Sequence, residues 1–125
     1  GLCAFQRKYG QVGVKQESGT RSLFMISNQS DTPEEIESIS LSEPVVYFKA
    51  DCDFRERVDR ARFYYSLDGI TWKQIGNELH MQYTLMEHFM GYRFGLFYYA
   101  TKQAGGYVDF DFFHLSDYFS DENIK

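Results

Sequence analysis

The stretch Val45-Val46-Tyr47-Phe48-Lys49-Ala50-Asp51-Cys52-Asp53-Phe54 decides the fold class, because its side chains alternate in character. Successive side chains of a strand point to opposite faces. Val46, Phe48, Ala50, Cys52 and Phe54 therefore share one face, and Tyr47, Lys49, Asp51 and Asp53 share the other. One apolar and one polar face describe a strand of an antiparallel sheet that is covered on one side only. Further on, Arg62 to Leu67 reads as a second strand. Leu67-Asp68-Gly69-Ile70 then offers an Asp-Gly pair for the positive-φ positions of a tight hairpin turn, with Thr71 to Ile75 as the return strand.

The same pattern extends outward in both directions. Gly1 to Arg7 and Gln11 to Lys15 flank Lys8-Tyr9-Gly10, and Arg21 to Ser27 follows a turn at Glu17-Ser18-Gly19-Thr20, which predicts a three-stranded meander. Asn28 to Glu43 is polar and acidic. Thr32-Pro33 could cap and open a short helix, but Ile36 and Ile39 are its only interior apolar residues, so a loop with at most one strand is expected. Leu79 to Glu87 shows partial helical spacing without a cap and is expected to be a loop over the sandwich. Met90 to Ala100 and Tyr107 to Leu115, on either side of Gln103-Ala104-Gly105-Gly106, predict a final hairpin. The sum is an all-β chain, an antiparallel β-sandwich over residues 1–115 followed by a polar tail over 116–125. Phe48, Phe63, Tyr65, Phe94, Phe110 and Phe112 are expected to fill its core.

With 125 residues, 12 Phe and 10 Tyr, the chain has enough apolar material for a packed interior without metal or disulfide staples. Its net charge of −5, with Lys and Arg scattered, argues against a nucleic-acid partner. No apolar run approaches the length of a membrane-spanning helix, so no membrane partner is expected. Gly1-Leu2-Cys3-Ala4-Phe5 carries no targeting signal, which leaves the compartment, cytoplasmic or secreted, undetermined. Strand-like sequence begins at Gly1 with no initiator Met, and on that ground the natural protein is expected to extend upstream. Cys3 and Cys52 lie in apolar strand-like runs where free thiols are expected, with a single disulfide as the alternative.

Few residues point to catalysis. Asp109 and Asp111, like Asp51 and Asp53, alternate onto one face, a spacing open to the paired carboxylates of a glycosidase, yet a strand exposing one polar face gives the same spacing. A structural Ca²⁺ on such oxygens is a lesser expectation, and no other cofactor is expected. His80, His88 and His114 lack metal-ligand spacing, and neither cysteine sits in a nucleophile motif. The positive signal is aromatic. Sugar rings pack their C–H faces on Tyr and Trp; Tyr47 is expected on the polar face beside Lys49 and Asp51, Tyr64 shares an outward face with Arg62, and Trp72 follows the Asp-Gly turn.

Phe63-Tyr64-Tyr65-Ser66-Leu67-Asp68-Gly69 through Trp72 resembles a hairpin of concanavalin A-like domains attached to sugar hydrolases. Phe89-Met90-Gly91-Tyr92-Arg93-Phe94-Gly95-Leu96-Phe97, Ala100-Thr101-Lys102, Gly105-Gly106 and Tyr107-Val108-Asp109-Phe110-Asp111-Phe112-Phe113 follow in order. Gly1 to Gln6 with Val12-Gly13-Val14 is similar to middle strands of the same domain. Together they resemble the C-terminal β-sandwich, of concanavalin A-like jelly-roll type, of family 43 glycoside hydrolases of the β-xylosidase type. The resemblance implies a non-catalytic accessory domain lacking its first strands. Such a domain packs on a catalytic five-bladed β-propeller that hydrolyses xylosides or arabinosides with acidic residues outside this chain. It also implies that Phe89, with His88 and Tyr92 beside it, helps close the pocket of the parent enzyme, and that xylan or xylo-oligosaccharide is the ligand. The rival expectations are a freestanding xylan-binding module using Tyr47, Tyr64 and Trp72, and a purely structural domain whose exposed sheet edges pair with the propeller or a second copy.

Overall fold

The computed structural model describes residues 1–82 and 91–116. Among these residues, nine strands form two antiparallel sheets. They are β1 (Leu2–Phe5), β2 (Gly10–Glu17), β3 (Thr20–Ser27), β4 (Glu34–Ser40), β5 (Tyr47–Asp53), β6 (Arg60–Ser66), β7 (Lys73–Gln74), β8 (Leu79–His80) and β9 (Arg93–Leu96). The first sheet has the order β4-β3-β2-β1-β9. In the second, β5 lies along one edge of β6 while β7 and β8 share the other. A single 3₁₀ turn, Arg55–Arg57, joins β5 to β6.

The alternation read from Val45 to Phe54 holds in three dimensions. Phe48, Ala50 and Cys52 face the first sheet and pack on its core, while Lys49 and Asp51 pair across to Tyr64 and Arg62 on the outer face. The core between the sheets is built from Ala4, Val12, Leu23 and Met25 on one side and Ala61, Phe63, Ile75 and Leu79 on the other. At its centre the Phe63 ring, fully buried, lies against the backbone of Gly10, where an added Cβ would sit 2.8 Å from the ring. Only glycine lets the two sheets approach this closely.

Turn chemistry sets the registers. Ser18 (φ 52) and Gly19 (φ 78) both take left-handed backbone conformations, so a two-residue turn closes β2 on β3 at Glu17 and Thr20. The Asp68-Gly69 turn differs from the sequence expectation. β6 ends at Ser66 and β7 begins at Lys73, so the loop is longer than two residues, and only Gly69 of the pair has positive φ. Asp68 works through its side chain instead. Its Oδ1 accepts hydrogen bonds from the amides of Ile70 (2.8 Å) and Thr71 (2.7 Å) and from the Ser66 hydroxyl (2.9 Å).

The acidic segment after Asn28 supplies the one strand allowed for it, β4, with no helix at Pro33. The register shifts where Met25 pairs with Glu37 and Ile26 with Glu35, making Ile36 an extra, bulged residue. That bulge lets Ile36 and Ile39, three apart, both pack on the core. Leu79 and His80, expected in a loop, pair with β6 as β8. The predicted last hairpin is present only in part. The ladder of β9 runs one pair beyond its end, through Gly1 and Phe97, and residues 107–115 form no strand. Phe110 and Phe112 are 43% and 56% exposed rather than in the core, since the segment that carries them pairs with no strand.

Both cysteines are free. The Cys3 thiol donates to the Gly95 carbonyl, and burial raises its pKa; burial, reinforced by Asp51, pushes Cys52 up to about 12.

Two outcomes follow from these contacts. Phe63→Ala, which leaves a void between the sheets, is expected to lower unfolding stability by about 3–5 kcal/mol in urea titrations. The three hydrogen bonds hold the Asp68 carboxyl down at about 2, against an ordinary 3.8. Its contribution is therefore complete above the ordinary value, falls as pH drops through it, and is gone below about 2. Asp68→Asn should remove that dependence, so the difference between wild type and variant urea midpoints shrinks between pH 5 and pH 2.

Candidate functional site

The outer face of the second sheet collects three of the expected site residues. Lys49 on β5 stands beside Tyr64 on β6, and Trp72 enters from the loop before β7. The Lys49 ammonium lies 4.7 Å from the centroids of both rings, sandwiched as a cation–π pair, and 3.8 Å from Asp51 Oδ2. Lys49 and Asp51 side chains are only 15% and 13% exposed, so the charge is held in place rather than solvated. Tyr47 belongs to the same face, but its ring packs on Gly69 of the turn and against Phe112 at 6.2 Å. The three aromatic rings are thus brought together on one face, each half-buried and each already engaged by another group of the chain. They do not form a bare planar row.

Beside Tyr64 the face dips into a recess of about 90 Å³ lined by Asp51, Asp53, Arg55, Arg60 and Arg62. Arg55 forms a two-pronged pair with Asp53, at 3.0 Å to each carboxylate oxygen, and its side chain and amide hold that carboxyl below the usual range. Arg60 and Arg62 share Glu78, at 3.5 and 2.8 Å. The rim is the turn from β5 to β6, where Glu56, Arg57 and Asp59 all take positive φ, an arrangement without a sequence signature such as glycine. Alternation sets Arg62 beside Tyr64, but it does not join Arg60 and Arg62 of β6 to Arg55, which reaches the recess from the turn before that strand.

Tyr92, expected beside the pocket-closing loop, is hydrogen-bonded within the domain. Its hydroxyl donates to the Lys8 carbonyl and accepts from the Gln82 amide at 3.0 Å, tying the β1–β2 turn to the residues after β8. Burial raises the pKa of this hydroxyl, with the Gln82 bond acting against it and Asp59 with it. His88 and Phe89 lie outside the described residues. Asp109 and Asp111 are exposed in the segment without strand, and among the described residues no three of His, Cys, Asp or Glu gather to hold a metal ion. Nor is any described helix long and apolar enough to cross a membrane.

A second surface lies along one side of the sandwich. There the outer edges of β5 and β9 run near each other, joined by the Phe54–Phe94 ring contact. The space behind them opens outward between Val46, Phe48 and Cys52 on one wall and Phe94 and Phe97 on the other. The apolar residues Tyr107 and Leu115, 86% and 79% exposed, lie in the segment that follows.

Two antiparallel sheets packed over one core, carrying polar-aromatic side chains on an outer face, define a concanavalin A-like sandwich rather than a catalytic propeller. The chain belongs to the family of beta xylosidase C-terminal concanavalin A-like domains, the C-terminal module of glycoside hydrolase family 43, which matches residues 1–116. It is similar to a solved chain described as bifunctional GH43-CE from Bacteroides eggerthii, at 61% identity and a TM-score of 0.81. That match covers 85% of this chain and 14% of the other, so the chain spans a small part of its relative's length. No curated protein matches.

Proposed function

We propose that this chain is a non-catalytic accessory domain of a family 43 β-xylosidase or arabinofuranosidase, in which it supports the catalytic propeller and contributes to binding xylan or xylo-oligosaccharide. The observation that carries the reading is the unclosed side of the sandwich. A monomer does not ordinarily leave a two-walled apolar opening, with strand edges on both walls and Tyr107 and Leu115 nearby in water. Such a side suits a domain that is covered by the rest of a longer polypeptide, and the 14% coverage of the related bifunctional chain supports the same view. The sugar contact is assigned to Tyr64 and Trp72, with Tyr47 at their border, and the pocket-closing role to Phe89 with His88. Tyr92 contributes by tethering the chain on one side of that pair. The domain's engaged rings favour a weak contact within the enzyme over a freestanding xylan-binding module.

The test compares the isolated chain with the full parent enzyme. Replacing Tyr107 and Leu115 with Ser should change the melting temperature of the chain alone very little, since substitutions in water rarely exceed about 0.5 kcal/mol. In the parent enzyme the same pair should lower the melting temperature by several degrees. In the parent enzyme Trp72→Ala should raise KM for xylohexaose roughly three- to tenfold with kcat unchanged, the signature of lost uniform binding. Equal melting shifts in both settings would remove the covering role, and an unchanged KM would remove the sugar contact.

A further inference from the structure

We infer that the outer face of the second sheet selects xylan chains bearing a uronic acid over neutral ones, with Lys49 as the residue that sets the preference. The inference rests on the sugar-binding reading of this face and adds to it the chemical class of the ligand.

The geometry that argues against a neutral sugar is the position of the ammonium. A neutral pyranose binds an aromatic side chain by laying C–H groups on the ring face. Lys49 Nζ stands over both Tyr64 and Trp72, 4.7 Å from each centroid, so it holds the place where that contact would form. A neutral chain must displace the ammonium from two rings and from Asp51 while offering it no charge in return. Its specificity cost is built into the free protein.

A uronate removes that obstacle. Its ring has the same C–H faces, and its carboxylate supplies the displaced ammonium with a new partner. The recess beside Tyr64 adds further donors, since Arg55, Arg60 and Arg62 line it and the Arg62 side chain is 56% exposed. Guanidinium forks fit a carboxylate with two parallel hydrogen bonds. Glu78 is divided between two guanidinium groups, which leaves Arg60 and Arg62 able to donate to a second carboxylate.

Trp72 is the sole tryptophan of the chain, so its fluorescence reports directly on this face. The full chain would be titrated with xylohexaose and with a xylo-oligosaccharide of similar length carrying one glucuronic acid, as wild type, Lys49→Met and Lys49→Arg. Circular dichroism and thermal melting would establish that all three are folded. The wild type is expected to bind the acidic oligosaccharide roughly fivefold or more tightly than the neutral one, the scale of one charge-assisted contact. Lys49→Met, which keeps the apolar stem, should bind both alike, and Lys49→Arg should keep the preference. Binding of both sugars with equal affinity by the wild type, or a preference retained by Lys49→Met, would overturn the selectivity while leaving sugar binding intact. No response to either sugar in any of the three proteins would overturn both.

Discussion

The close approach of the two sheets at Gly10 is the constraint on which the rest of the molecule depends. Phe63 projects from the central strand of one sheet onto the bare backbone of the other, with Leu79 beside it. A side chain at residue 10 would push this ring away and separate the layers along their whole length. Because Phe63 is fixed, its neighbours on β6 alternate predictably, and Arg62 and Tyr64 must point outward. The polar-aromatic face is thus a direct result of how the interior is packed. Burying an aromatic ring of this size contributes about 1.5–3 kcal/mol, a large part of what a domain of this length has to spare.

Where local pattern decides structure, the sequence was readable. β5 follows from strict alternation, and the β2–β3 hairpin from Ser18-Gly19. Family 43 membership was legible too, because the aromatic strings from Phe63 to Trp72 and from Phe94 to Phe112 recur in order. The failures have a common physical origin in contacts with distant residues. β4 was obscured because a bulge changes the spacing of Ile36 and Ile39 from two to three. β8 is a strand only because β6 offers an edge. Tyr107 to Leu115 has a strand's alternation, but a strand exists only where a neighbouring backbone accepts its hydrogen bonds.

The candidate site shows the same division. Alternation correctly put Tyr47, Lys49, Asp51 and Tyr64 on one outer face. It could not reveal that Lys49 settles between Tyr64 and Trp72, because that geometry joins three separate segments. Nor could it show the arginine recess, whose rim is shaped by non-glycine residues in left-handed conformations. Backbone strain of this kind arises from the surrounding structure and leaves little trace in composition.

The Tyr92 hydroxyl has a consequence for how this domain can diverge. By holding the Lys8 carbonyl and the Gln82 amide at once, one oxygen makes the short turn after β1 and the chain leaving β8 share a single anchor. Changes that lengthen the Lys8-Tyr9 turn would therefore be felt at Gln82, far along the sequence, and would have to be compensated there. Insertions in this lineage should accumulate elsewhere, as at Gly19, whose turn faces open space. A protein engineer seeking a place to splice in a peptide would find the second position forgiving and the first one closed.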